Sequence, residues 1–310
     1  MRRTFSLTTR KVTRPANILR VALSCFLLTV AGASALQAQV GGAGESRQLI
    51  EVLNGMLAGP EDRIRPARTP IPSGDYTLCT LPPELIYRNM VAGTELSKAE
   101  ARPLFSGWSA YLTATSQSLS RSRRADRLSE LRVRAMLDRD IRQTIGQYGI
   151  AEPTSPAMKH YQALVWAASC LIDRSNTGFV RQFLAHRSWP RGSDPSDPAS
   201  ASHSLFLLLQ HAVLTPRDRE QLLSTAEAAH RRRLIAPFDY ARIVDRATQE
   251  LHGFQKYGTQ VSLVESRRVV EGALGCRSTL NQNRSLLGLE PLAAEVEVRL
   301  QGGEACPETR

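Results

Sequence analysis

The stretch ELRVRAMLDRDIRQTI, residues 130–145, decides the fold class. Val133, Leu137, Ile141 and Ile145 recur every four residues, the spacing of one face of an α-helix. Glu130/Arg134 and Asp138/Arg142 form i,i+4 pairs along the same segment. Charges this dense are most simply read as the solvated face of that helix. Further helical patterns fit 157–173, 176–187, 202–213, 216–232 and 238–251. Two of these have legible starts, Thr215 as N-cap with Pro216 at the first helical position, and Pro237 before Phe238. Alternating apolar runs are nearly absent, so a mainly α multi-helix domain is expected, with a short irregular or β segment, such as a strand pair, near 258–270.

Upstream of this domain the pattern is weaker. Residues 46–58 predict a short helix with Leu49, Ile50, Leu53 and Leu57 on one face. Residues 60–83 carry Pro60, Pro66, Pro70, Pro72, Pro82 and Pro83 without a period, which predicts an extended loop. A helical segment covers about 95–118, and the Ser/Arg-rich patch from Ser116 to Arg124 reads as a boundary. Another Pro/Ser/Asp-rich stretch, Pro190 to His203, reads as an exposed loop between helices.

The first 38 residues have a different character. Arg2, Arg3, Arg10, Lys11, Arg14 and Arg20 precede an apolar run from Val21 to Val30, and the small residues Ala31 to Ala35 follow. Basic, apolar and small segments in that order define a secretory leader, with cleavage expected after Ala35 or Ala38. Arg2-Arg3 resembles a twin-arginine start, although a long basic stretch separates it from the apolar core. The chain therefore divides into a leader at 1–38, an N-terminal extension with a Pro-rich loop at 39–124, a helical domain at 125–298 and a tail at 299–310. The expected location is periplasmic or extracellular.

The leader accounts for much of the charge. The whole chain has 40 Lys plus Arg against 29 Asp plus Glu, a formal +11. Without the six leader cations, 34 face 29, or +5, with Arg and acids interspersed and aromatics only 6%. That pattern lacks the concentrated basic face of a nucleic-acid binder, so no nucleic-acid partner is expected. No apolar run reaches the roughly 18 residues of a membrane span, so none is expected in the mature chain. Four cysteines remain, Cys79, Cys170, Cys276 and Cys306, which permit two disulfides in an exported chain. Cys276–Cys306 would tie down the tail and Cys79–Cys170 would tie the extension to the domain. Sequence leaves all three pairings, and free thiols, open.

Phosphate loops, Gly-x-Ser-x-Gly elbows, His-Glu-x-x-His and Gly-x-Gly-x-x-Gly are all missing, which argues against a nucleotide-dependent enzyme. No cofactor is expected. The chemistry-bearing residues lie in otherwise apolar helices and the loops after them. Gln210-His211 closes the apolar run Leu205 to Leu209, Asp245-Arg246 sits on the 238–251 helix, and Gln255, Tyr257, Gly258, Thr259 and Gln260 crowd one loop. Together with Trp189-Pro190 upstream, and with Arg284 and Gly288-Leu289-x-Pro291-Leu292 downstream, this order resembles a bacterial domain family of unknown function. That family is marked by a Gln-His helix followed by Tyr-Gly-Thr-Gln. The resemblance covers about 128–295, a little over half the chain, with Asp173-x-x-Asn176 and the helix around Met136 and Asp140 at its start. No activity is established for the family, so the resemblance implies only that these positions form its common site.

His211 is the candidate general base, oriented by Gln210 or Asp245; the alternative is a core histidine tying two helices together. His203, eight residues earlier, lies on roughly the same helical face. With no Cys or acid at ligand spacing, a metal site is not expected. The loop Tyr257–Gln260 could cradle a polar ligand, with Gly258 allowing close backbone approach, or form a structural turn held by Gln255 and Gln260. Asp245-Arg246 reads as an ion pair, or as a carboxylate site built on Arg246; Arg284 completes the ligand-binding candidates. Two functions are consistent with these residues. One is a ligand-binding or interaction module of the cell envelope, taking a small polar ligand or an envelope partner. The other is a hydrolase or transferase acting on a small polar or envelope substrate with His211 as base and Asp245 beside it.

Overall fold

A computed structural model describes residues 41–59, 61–68, 78–149, 152–186, 189–191 and 194–306. The leader at 1–38 lies outside the described residues, as does much of the Pro-rich loop. Among the described residues there are nine α-helices and five short strands, so the fold is mainly α. The helices are α1 (Gly41–Ala58), α2 (Pro83–Met90), α3 (Lys98–Ala125), α4 (Arg127–Thr144), α5 (Pro156–Ala185), α6 (Ala201–His211), α7 (Pro216–Arg231), α8 (Pro237–His252) and α9 (Arg277–Leu286). The strands are β1 (Arg63–Ile64), β2 (Leu96–Ser97), β3 (Val261–Val264), β4 (Arg267–Ala273) and β5 (Glu297–Leu300). None of the described helices is long and apolar enough to cross a membrane.

Local chemistry explains the helix starts. Thr215 caps α7 in a capping box with Asp218, and Pro216 and Pro237 occupy first-turn positions in α7 and α8. Ser97 and Glu100 form a second capping box that opens α3. The Ser/Arg patch at 116–124 is helical rather than a break, because it contains neither Gly nor Pro and α3 runs through it. The turn comes at Asp126, whose Oδ1 accepts from Leu128 N and Ser129 N at 2.8 Å and starts α4.

The segments expected at 157–173 and 176–187 are a single helix, α5. Their polar junction, Asp173-Arg174-Ser175-Asn176, reads as a break in sequence, but Asp173 and Asn176 are buried and bonded to side chains of α4. The expected solvated face of α4 is also corrected. Its i,i+4 pairs form, yet Glu130, Arg134 and Asp138 are 6%, 1% and 1% exposed.

Among the described residues, the three largest of five apolar clusters hold most of the core. The first joins Leu49, Leu53, Tyr87, Phe105 and Trp108 from the N-terminal helices to Ile141 of α4 and Leu164 and Ala168 of α5. Residues of the stretch before 125 share this cluster with α4 and α5. The second packs Leu131, Phe179 and Val180 against Leu205, Leu208 and Leu209 of α6 and Leu222 and Ala226 of α7. The third gathers Val270, Leu280, Leu292 and Val298 beneath a three-stranded sheet. There β3 pairs antiparallel with β4 from Val261↔Val270 to Val264↔Arg267, within the expected β segment. Strand β5 adds to β4 in parallel, a pairing its sequence does not signal. Two disulfides close the structure, Cys79–Cys170 with Cα atoms 4.7 Å apart and Cys276–Cys306 at 5.5 Å.

Candidate functional site

The sequence-marked polar residues fall into two groups. The first is organised by Asp245, which α8 carries into the interior at 0% exposure. α8 stops at Gly253, whose left-handed φ of 76° turns the chain back toward its own helix. Asp245 Oδ1 accepts from Lys256 N at 2.7 Å and Tyr257 N at 2.8 Å. Oδ2 accepts from Thr259 N at 2.7 Å and Thr259 Oγ1 at 2.8 Å. Burial pushes this carboxyl above its ordinary range, against the pull of those four donors.

Its neighbours are equally matched. Gln255 Nε2 donates to the Gln260 and Glu271 carbonyls, both at 2.9 Å, and its Oε1 accepts from Gln260 N at 2.8 Å. Arg284 donates to the Tyr257 carbonyl at 3.1 Å and the Glu290 carbonyl at 2.6 Å. Gly258 has φ +67°, and a Cβ there would stand 2.6 Å from Leu280 Cδ2. The glycine thus serves helix packing against α9. With all four acceptor directions of the carboxylate used, this is a structural clip between α8, the loop and α9. Arg246 points elsewhere, pairing with Glu250 along its own helix. Asp245 and Arg246 therefore do not form the ion pair their adjacency suggests.

The second group surrounds His211. α6 ends at this residue, and its Nδ1 lies 2.9 and 3.1 Å from the two carboxylate oxygens of Asp138 on α4. The sequence reading names Gln210 or Asp245 as the group that orients His211; in the structure that group is Asp138. An ionised carboxylate only accepts, so Nδ1 carries the proton and the neutral ring keeps its lone pair on Nε2. Among the described residues Nε2 has no partner, and the His211 side chain is 31% exposed.

One turn along α4, Arg142 pairs with Asp138 and with Asp173 of α5 and donates to Ser169 Oγ at 2.8 Å. Burial raises the Asp173 carboxyl, Arg142 and His211 draw it back down, and Asp138 pushes it further up. The four ionisable groups thus form a single electrostatic cluster. One turn in the other direction, Arg134 bonds Glu130 at 2.8 Å, Ser175 Oγ at 3.0 Å and Asn176 Oδ1 at 3.1 Å. Thr177 Oγ1 accepts from Val213 N at 2.8 Å, which locks the chain leaving α6 against α5.

Three donors in this corner lack acceptors. Arg142 Nε, Asn176 Nδ2 and Gln210 Nε2 are buried with no hydrogen-bond partner among the described residues. Each such group costs about 1–3 kcal/mol. His203, at the other end of α6, bonds Asp239 of α8 at 2.9 Å, so the two histidines serve separate carboxylates.

Asp138 and Arg142 are the site residues that the sequence reading missed. A signal was present: Arg134 stands three and seven residues before Leu137 and Ile141, and Asp138 three and seven before Ile141 and Ile145, on or beside the apolar stripe. Comparison with known protein families, characterised proteins and solved structures finds no match for this chain.

Proposed function

We propose that this chain is an exported ligand-binding module of the cell envelope, and that its site is the corner formed by Asp138, Arg142, Asp173, Gln210 and His211. The observation that carries this reading is the partly open His211–Asp138 pair, together with three buried donors without acceptors on the same helices α4, α5 and α6. Most buried polar groups are matched within the protein, and a bound ligand is one explanation for those that are not. Export is supported by the order of basic, apolar and small residues in 1–38 and by the two disulfides, which persist in oxidising compartments. Membership of the Gln-His/Tyr-Gly-Thr-Gln family is part of the proposal. In its favour, Asp173 and Asn176 adjoin the Gln210-His211 helix end, while Asp245 and Tyr257–Gln260 form one network.

The test is a thermal-shift screen of the chain against envelope metabolites such as amino acids, amino sugars and short organic acids. The wild type should gain Tm with at least one of them. His211→Ala should keep its ligand-free Tm within a few degrees and lose that gain. Unfolding of His211→Ala would instead make the corner structural.

A second reading, a hydrolase or transferase with His211 as general base, is favoured by one observation. The Asp138 contact fixes the tautomer whose Nε2 lone pair faces outward without a partner, the arrangement of a base that takes a proton from water or a substrate hydroxyl. Turnover of model esters or glycosides that vanishes in His211→Ala, with the fold intact, would favour this reading over simple binding.

A further inference from the structure

We propose that the junction of α3 and α4 docks the protein onto an anionic phospholipid surface. Leu128 and Met136 enter the acyl boundary, and the arginines around them meet the headgroup phosphates. This surface uses the exposed face of α4, whose buried face carries Arg134 and Asp138. It does not depend on how the His211 corner is read.

Arginines and acids are interspersed along the sequence, but folding separates them here. Glu130 is buried, paired with Arg134 at 2.8 Å and Arg123 at 3.2 Å. Between residues 121 and 136, Asp126 is then the one exposed acid. It caps α4, accepting from Leu128 N, Ser129 N and Ser129 Oγ. Against it stand Arg121, Arg123, Arg124, Arg127 and Arg132, all exposed. Among the described residues only Arg123 of these five is in an ion pair. Arg121 and Arg124 donate to Ser118 and Ser120 of their own helix, and Arg127 rests 4.1 Å from the Phe183 ring centre.

These side chains form one surface. Arg123 to Leu128 is an unbroken exposed run across the helix junction, and the Arg123–Glu130 bond ties the last turn of α3 to the first turn of α4. At about 100° per residue, Leu128, Arg132, Met136 and Arg139 of α4 fall within an arc of about 80°. All four are exposed, with Asp140 at the edge of the stripe. Among the described residues six large apolar side chains are exposed, and two lie on this stripe, Leu128 at 41% and Met136 at 51%. Apolar side chains and arginines thus alternate turn by turn, as on a helix lying in a membrane interface, where arginine stems follow the apolar surface and their heads stay with the phosphates. A soluble polyanion would engage the arginines and leave Leu128 and Met136 in water. A neutral bilayer would take the apolar pair and leave the arginines unmatched. Anionic headgroups satisfy both.

The experiment is vesicle co-sedimentation of the chain from Gln39 onward, because the leader is itself basic and apolar and every described element lies beyond it. Vesicles of phosphatidylcholine alone are compared with vesicles that also contain phosphatidylglycerol. At low salt the chain should bind the mixed vesicles about tenfold more tightly or better, and added salt should weaken that binding. Arg121→Gln, Arg124→Gln and Arg132→Gln together should weaken it about a hundredfold, or about fivefold per arginine. A control triple, Arg102→Gln, Arg217→Gln and Arg232→Gln, removes the same charge from exposed positions elsewhere and should weaken it by no more than about threefold. Leu128→Ser with Met136→Ser leaves the charge unchanged and should weaken it about tenfold. Circular dichroism checks the fold of each variant. If the first triple does not fold, Arg132→Gln alone should weaken binding about fivefold.

Equal binding to the two kinds of vesicle, or binding to neither, would overturn the proposal. Equal weakening by the two arginine triples would overturn it too, since attraction would then follow net charge rather than this junction. Weakening by the first triple with no effect of Leu128→Ser and Met136→Ser would overturn the lipid assignment in favour of a soluble polyanion.

Discussion

Asp245 and Asp138 are both sealed inside helices, at 0% and 1% exposure, and both stand beside a polar run conspicuous in the sequence. Around Asp245 the bonds close: three backbone N–H groups and a hydroxyl converge on one carboxylate, and the neighbouring glutamine and arginine reach carbonyls of the same loop and its flanks. Around Asp138 they do not close, and three donors remain over. The same residue types thus do different work. A matched network fixes the chain, whereas unmatched buried donors cost stability, and the proposal is that a ligand meets them.

Substitutions should separate the two regions sharply. Asp245→Ala leaves three backbone donors and the Thr259 hydroxyl unmatched, so urea unfolding should show a loss of about 4–6 kcal/mol. A loss below about 1 kcal/mol would mean that the clip is not structural. The disulfides offer a comparison of the same kind. Cys79–Cys170 spans 91 residues and borders Asp173, while Cys276–Cys306 spans 30 and ties the C-terminal sheet region. Chain entropy puts their removal by paired Cys→Ser substitution at about 4.5 and 3.5 kcal/mol. Only loss of the first should also disturb ligand binding at the His211 corner. An equal effect of both on binding would break the regional distinction.

Gly258→Ala should cost about 2 kcal/mol or more, because a side chain at φ +67° is strained and its Cβ meets Leu280. Calorimetry would register it as a fall in Tm. His211→Ala should change stability by no more than about 1 kcal/mol while abolishing ligand stabilisation. The effect of pH is the smallest. Burial raises the folded Asp173 carboxyl above its unfolded value, so as pH falls the folded chain takes up that proton first. The wild type should therefore gain stability relative to Asp173→Asn as pH falls from the raised value toward the ordinary carboxylate range, and the gain should level off below it. A parallel pair of urea midpoints across that range would contradict the burial of Asp173.

The sequence showed these regions unequally, for physical reasons. Helix starts were legible where a cap and a proline coincide, as at Thr215-Pro216, because that chemistry is local. The strand pair within 261–273 falls near the short irregular or β segment expected at 258–270, but β5 was not legible, since its pairing with β4 depends on how the chain returns after α9. The Gln255–Gln260 loop stood out by composition, yet composition does not distinguish donors aimed at a ligand from donors aimed at Asp245. Most informative is α4. Asp138 and Arg142 read as a surface pair because their spacing is that of solvated ion pairs, and only the packing of α5 and α6 buries Asp138 and half-buries Arg142. The polar junction Asp173–Asn176 looked like a helix break for the converse reason, its partners lying on another helix.

The most direct test of the distinction is the urea unfolding free energy of Gln210→Met, which removes one leftover donor and keeps the side chain's length. If the His211 corner is a site rather than a structural clip, Gln210→Met should be as stable as the wild type or more stable, since it eliminates a buried group without an acceptor. A loss approaching that of Asp245→Ala would show that Gln210 is structurally matched, and would contradict the account.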